Sequence, residues 1–144
     1  MNQKLTNAFG KVYLTIEIDK DNQWVHVIWE GYLTEANVKA GALALTDAVV
    51  ASGLNCVLND MQLVFGPIRS TEWAATEWAP VVAKAGLKYM AIVNAPDAIA
   101  ATDVDNFHNR QTYFDSAVFT HMGEGKKWLK QHCQKSITRL KAAV

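Results

Sequence analysis

Five residues near the middle of the chain could act together on a ligand: Asp60, Phe65, Arg69, Ser70 and Trp73. Asp60 ends a short apolar run, NCVLND at residues 55–60. Ligands of open α/β sheets gather at the carboxyl ends of the strands, which is where this carboxylate is expected. Arg69 supplies a planar, fork-shaped donor suited to phosphate or carboxylate. Asp60 and Arg69 could line one crevice, with Phe65 as its apolar wall. Ser70 and Thr71 open a helix, whose free backbone N–H groups and dipole favour an anion or a phosphorylated hydroxyl. Each residue also has a plainer account. Asp60 could bond nearby loop amides, and Ser70 or Thr71 could simply cap the helix. Trp73 and Trp78 are five residues apart, about 500° of rotation on a ~3.6-residue turn, so they do not share one stripe. One is expected on the sheet and the other nearer the surface, where an exposed indole would mark a partner or ligand surface.

Other groupings of reactive residues do not assemble into a known chemistry. Asp103, Asp105 and His108 match no closed zinc pattern and lack the glycine and terminal glutamate of a calcium loop. His26, His121 and His132 are scattered, and no Ser-His-Asp or Cys-His arrangement can be argued from their positions. Gly123-Glu124-Gly125-Lys126-Lys127 lacks phosphate-loop spacing. An enzyme using Asp60 as general base is the weakest reading, because no second catalytic group can be set beside it. No catalytic residue, metal or cofactor is expected. Lys+Arg and Asp+Glu both number 14, which argues against a general nucleic-acid binder. Cys56 and Cys133 are the only cysteines and read as reduced thiols of a cytoplasmic protein. The first residues do not read as a secretory signal, no apolar run approaches the ~18 residues of a membrane span, and neither end carries a lipidation motif.

The elements that must position these residues follow from periodicity. Residues 1–10 read as a loosely held lead-in. Residues 11–19 alternate cleanly, with Val12, Leu14, Ile16 and Ile18 on one face. The turn DKDN returns the chain as a second strand over 23–30, so the pair is an antiparallel hairpin. Trp24 and Trp29 fall on opposite faces of that strand by parity. Thr34 is a good N-cap for a helix that runs to about Ser52, and Gly53 supplies its stop. Residues 56–58 read as a central strand, and 61–68 as a loop with hydrophobics of its own. A second helix runs from Ser70 or Thr71 to about Ala85, with a kink expected at Pro80. Residues 87–93 form another buried strand. Short helices are expected over 97–101 and 104–110, then a last strand over 114–119 with Ala117, Val118 and Phe119 buried. The final helix, 123–142, carries Trp128, Leu129, Cys133, Ile137 and Leu140 on one face and lysines on most of the rest.

The order is β-β-α-β-α-β-α-β-α. Strands separated by helices should be parallel through right-handed crossovers. The expected fold is an α/β sandwich, a mixed sheet opened by an antiparallel hairpin and covered by helices, in one domain spanning 1–144.

With those features laid out, the chain resembles the STAS domain of bacterial anti-sigma-factor antagonists, and in particular its SpoIIAA-like branch. The resemblance rests on the opening hairpin, the strand ending in Asn59-Asp60, and the loop into the Trp73/Trp78 helix. It also rests on GLKYMAIV at 86–93 and on the Phe119, Glu124, Trp128-Leu129 segment. It covers about residues 11–132. The family implies a non-catalytic regulatory or signalling role, in which a partner protein, nucleotide or lipid-like ligand is bound. In its regulatory members a partner kinase phosphorylates a serine at the start of the helix after the third strand. Ser70 lies near that place, without the preceding Asp or the Gly two residues on. Two readings follow. One is a regulatory domain that binds a protein partner or ligand near Asp60, Phe65, Arg69, Ser70 and Trp73. The other is a carrier or sensor of a small apolar or amphipathic ligand, suggested by Leu63-Val64-Phe65. A homodimer through the hairpin edge or a Trp-bearing helix face fits either.

Overall fold

A computed structural model describes the backbone of residues 2–143 and the side chains of residues 2–133. Six strands lie in chain order across one sheet: β1 (Asn2–Thr6), β2 (Val12–Asp19), β3 (Trp24–Gly31), β4 (Cys56–Val64), β5 (Tyr89–Val93) and β6 (Asp115–Phe119). β1, β2 and β3 pair antiparallel, and β3 to β6 pair parallel. Residues 2–6 are therefore not a loose lead-in. They form an edge strand that covers the hairpin edge where a homodimer contact was expected. Asn2 to Leu5 pair with Glu17 to Leu14, because Asn7 turns the chain by accepting from the Phe9 and Lys11 amides.

The helices are α1 (Glu35–Ser52), α2 (Thr71–Trp73), α3 (Ala79–Ala85), α4 (Ala101–Arg110) and α5 (Met122–Ala143), with a π-helical turn at Ala74–Trp78 joining α2 to α3. Both expected ends of α1 are as the residue types dictate. Thr34 accepts from the Asn37 amide at 3.1 Å. Gly53 takes the left-handed conformation and its N–H reaches Val49 O. Between Thr71 and Ala85 the helix is not continuous: it is interrupted directly before Pro80. Pro80 has no N–H to donate, and the wide π turn directly before it absorbs the register change. Residues 97–100 form no helix of their own, Ala101 already belongs to α4, and α4 is one helix.

Three successive crossovers that step the same way across a parallel sheet place their helices on one face. Helices α1 to α4 accordingly share one core with Leu14, Ile16, Val27, Trp29, Val57, Met90 and Ile92. α5 covers the other face over β4 to β6, packing Leu129 and Cys133 against Trp24, Leu58, Ala91 and Val93. The parity reading of Trp24 and Trp29 holds, since each belongs to a different core. Gly41 lets α1 lie close to the sheet, because a Cβ there would overlap the Trp29 indole and come within 3.0 Å of Leu14.

Two further expectations are corrected. Cys56 and Cys133 are not free thiols: they form a disulfide, with Cα atoms 6.4 Å apart and 77 residues of chain between them. The cytoplasmic expectation drew on reduced thiols and loses that support. No helix among the described residues is long and apolar enough to cross a membrane. Ala117, Val118 and Phe119 are half-buried rather than buried, because β6 is the other edge of the sheet. Trp128 is half-buried against Tyr89 and Phe119. Ile137 and Leu140 lie outside the described side chains.

Candidate functional site

β4 does not stop at Asp60. It runs on to Val64, pairing Leu63 with Glu30 and Val64 with Gly31 after a bulge. The segment read as a loop is therefore mostly strand. The true loop, residues 65–70, turns at Gly66 (φ 76°), where Tyr32 packs so closely that a Cβ would meet its ring at 2.7 Å. Asp103 of α4 anchors it by accepting from the Ile68 amide at 2.9 Å. The loop ends at Ser70, which adopts φ 67°, ψ 25° and makes no capping bond. The left-handed conformation costs a non-glycine residue of order 1 kcal/mol. Its hydroxyl oxygen is buried and makes no well-formed hydrogen bond, although it lies near enough to the Glu35 carboxylate to help hold it charged. Ser70 is thus not the helix cap its position suggested, and no kinase could reach its oxygen in this conformation. Thr71 is half-buried.

Ser70 lines a cavity of ≈ 80 Å³ between the sheet and the helices. Trp29, Leu45, Trp78, Met90, Ile92 and Phe107 make most of its wall, while Arg69, Ser70, Thr71, Asn59 and Asp103 supply its polar atoms. The polar groups deep in the wall are satisfied. Trp29 Nε1 donates to Asn59 Oδ1 at 2.8 Å. Trp78 Nε1 donates to both Ala42 O at 3.0 Å and Thr46 Oγ1 at 2.9 Å. Ser70 is the exception. Near Ser70 and Arg69 two opposite charges pair. Lys39 sits 3.0 Å from Glu35, and with lesser help from Ser70 and Arg69 it holds the Glu35 carboxyl below its ordinary value.

Of the five residues singled out from sequence, the structure brings Arg69 and Ser70 to this cavity and leaves three elsewhere. Asp60 sits between Asn59 and Met61, both of which line the cavity, so its side chain points through to the opposite face of the sheet. It does not share a crevice with Arg69. It is 91% buried there, and its Oδ1 accepts from the Gln62 amide at 3.0 Å. Phe65 is exposed at the rim rather than serving as a wall. Trp73 is half-buried on the outer side, with Lys39 Nζ 5.4 Å from its ring centre. Trp78 is the buried member of that pair. Trp29, Asn59 and Phe107 were missed as site residues. The parity of Trp29 along its strand was the available signal. Asp103 and His108 both make hydrogen bonds within the fold, Asp103 to the Ile68 amide and His108 Nδ1 at 2.7 Å from Ser116 Oγ. Among the described residues no cluster of three metal-ligating side chains occurs.

On the opposite face, Asp60 neighbours His26. His26 pairs across the strands with Glu17, with Nδ1 4.0 Å from the carboxylate, and its Nε2 is buried without a partner. Burial holds the imidazole below its ordinary value, against the pull of Asp60 and Glu17. An unfolded chain takes up this proton near pH 6.5, before the folded one does. The neutral ring therefore contributes its full stability above about pH 6.5, and this is lost as pH falls from there toward the lower folded value. Urea unfolding at pH 7.5 and pH 5.5 checks this. The wild type should lose more stability between those conditions than His26→Gln, and equal losses would assign the acid sensitivity to other groups.

The sequence matches no protein-family model, and no curated protein matches it. Among solved structures the chain is similar to an uncharacterised protein of the DUF3478 family from Shewanella loihica, described as having a SpoIIAA-like fold. The two are 20% identical, the match covers 81% of this chain and 91% of the other, and the TM-score is 0.52. Six strands in a mixed sheet, crossovers on one face and a last helix on the other agree with that description. The chain has the SpoIIAA-like fold.

Proposed function

We propose that this protein is a non-catalytic regulatory domain of STAS type that binds a small molecule in the cavity beneath the 65–70 loop. The observation that carries the reading is Ser70. A backbone conformation unfavourable for serine holds a buried hydroxyl, without a well-formed hydrogen bond, at the lining of an apolar cavity. Local strain of this kind is kept where it serves a site. A π turn, another feature that concentrates at functional sites, borders the same cavity. Arg69 and Ser70 form the binding edge, and Asp60 and Trp73 have no part in contacting the ligand. The reading includes no nucleic-acid partner, no cofactor and no chemistry at Asp60, whose carboxylate is turned away from the cavity.

A second reading, docking of a partner protein, is favoured by one separate observation. Tyr32, Phe65 and Ile99 are 74%, 66% and 73% exposed on the connections that follow β3, β4 and β5, at the carboxyl ends of the parallel strands. Phe65 belongs to this surface rather than to the cavity. Phosphorylation of Ser70 would require the loop to open, and Thr71 is the more accessible hydroxyl.

Ala74 lines the cavity, and Ala74→Phe is the test because it fills the space from within. A panel of two- to ten-carbon alcohols, acids and amines is screened by thermal shift. At least one should raise the melting temperature of the wild type and leave folded Ala74→Phe unmoved. If no compound shifts the wild type, or the variant responds equally, the cavity is not the binding site.

A further inference from the structure

We infer that the ligand of this cavity is a short neutral amphiphile, with an apolar end of about four carbons and an uncharged hydroxyl or carbonyl head held by Ser70. The inference rests on the small-molecule reading above and narrows it on three separate grounds.

The first is size. An apolar cavity of ~150 Å³ takes up benzene, and such cavities stay dry when empty. The space here is ≈ 80 Å³, too small to enclose an aromatic ring of that size or the whole of a long acyl chain. A lipid-like ligand, the broader expectation from sequence, is therefore too large for the cavity. The wall is aromatic and aliphatic, with Trp29, Trp78 and Phe107 around the space and Met90 and Ile92 from the sheet. Transfer of each methylene of a ligand into it is favourable by about 0.8 kcal/mol.

The second is the hydrogen-bonding inventory. Trp29, Asn59 and Trp78 spend their polar atoms on one another or on neighbours. Asp103 spends an oxygen on the Ile68 amide. The Ser70 hydroxyl alone is buried without a well-formed hydrogen bond, the Glu35 carboxylate being its one near polar neighbour. A hydroxyl can both donate and accept, so one head group carrying an oxygen satisfies it.

The third is charge. Among the described residues Arg69 is the only cation lining the cavity and Asp103 the only anion. Beside them, Glu35 and Lys39 neutralise each other through their ion pair. A carboxylate head would gain from Arg69 and lose against Asp103, and an ammonium head the reverse. Each would also surrender its hydration on entering a largely apolar space. A neutral head gives up far less.

The experiment is an amide-resolved NMR titration of the whole protein with 1-butanol, butyrate, butylammonium and 1-decanol, in the wild type and in Ser70→Gly. Glycine adopts φ near 67° without strain, so this change removes the hydroxyl and leaves the loop free to keep its shape. Butanol should shift the amides of Ala42, Ser70, Ala74 and Val104, and bind at least tenfold more tightly than butyrate or butylammonium. Decanol should bind no more tightly than butanol, since its extra carbons find no space. Ser70→Gly should weaken butanol by roughly threefold to tenfold, the usual worth of one neutral hydrogen bond. Tighter binding of butyrate or butylammonium at the same amides would overturn the neutral-head assignment while leaving the cavity as the site. Decanol binding tighter with chain length would overturn the size limit in the same way. Unchanged butanol affinity in Ser70→Gly would overturn the role given to the hydroxyl. Shifts absent from those amides for all four probes would sink the small-molecule reading itself.

Discussion

Removing the Cys56–Cys133 disulfide is expected to cost about 4 kcal/mol of stability. The bond closes a loop with 77 residues of separation, and the chain-entropy relation for a loop of that length gives roughly 4.5 kcal/mol at 25 °C. Both cysteines are essentially inaccessible, at 0% and 1% exposure, so Cys56→Ala with Cys133→Ala adds a modest loss of packing to the loss of the cross-link. Set against a typical stability of ~5–15 kcal/mol, this is a large share, and a fall of on the order of 10 °C in melting temperature is expected. The damage should be local first. Cys133 ties α5 to β4, so amide exchange in α5 and around Trp24, Leu58 and Val93 should accelerate before the α1 side of the sheet responds. Urea unfolding with and without reductant, alongside the double variant, makes the comparison. Superposable oxidised and reduced curves would show that the bond does not constrain the unfolded chain.

Trp78→Ala is expected to cost about 3–5 kcal/mol, the usual range for truncating a buried large aromatic side chain. Trp78 is 6% exposed and packs against Phe107 and Phe114 at centroid distances of 6.1 and 6.5 Å. Its indole N–H also joins the π turn to α1, by donating to Ala42 O and Thr46 Oγ1. The same change enlarges the cavity, so any ligand matched to ≈ 80 Å³ should bind more weakly. Trp78→Phe separates packing from hydrogen bonding. It keeps a ring in place but leaves Thr46 without its donor, at a cost of about 1–3 kcal/mol. In that background Thr46→Val should cost less than it does in the wild type, because both partners are then gone. A double-mutant cycle by denaturant titration reads the coupling. A coupling indistinguishable from zero would mean that the indole N–H contributes nothing through Thr46.

Some of this molecule was legible from its residues, and the legible parts share a cause. Thr34 and Gly53 delimit α1 through bonds that reach no further than four residues. Alternation along residues 12–18 and the opposed parity of Trp24 and Trp29 follow from the pleat of a strand. The order of strands and helices, with the one-way path of right-handed crossovers, then leads to the sheet and its layers. The resemblance to the SpoIIAA-like fold rested on that order and not on any single motif.

The candidate site was only half legible. Arg69 and Ser70 could be named because they begin a helix after a strand. Asp60 was set beside them because a polar residue after an apolar run reads as a strand end. Yet β4 continues, since its partner β3 offers hydrogen-bonding groups as far as Gly31. Asp60 consequently lies within the sheet, and its pleat turns it away from Arg69. Ser70 read as a cap from its residue type. The anchoring of the loop by Asp103, 35 residues further along the chain, goes with a backbone turn that denies its hydroxyl that bond.

The amino-acid sequence by itself determined most of the elements, their order from β2 onward and the faces of the strands, because these depend on interactions between residues close along the chain. Tertiary structure alone decided four things: that residues 2–6 complete the sheet, that Cys56 meets Cys133, that Trp29, Trp78 and Phe107 enclose a space, and that Ser70 lines it without a well-formed hydrogen bond. Each depends on where separate elements come to rest against one another, over distances in sequence at which no local periodicity carries information.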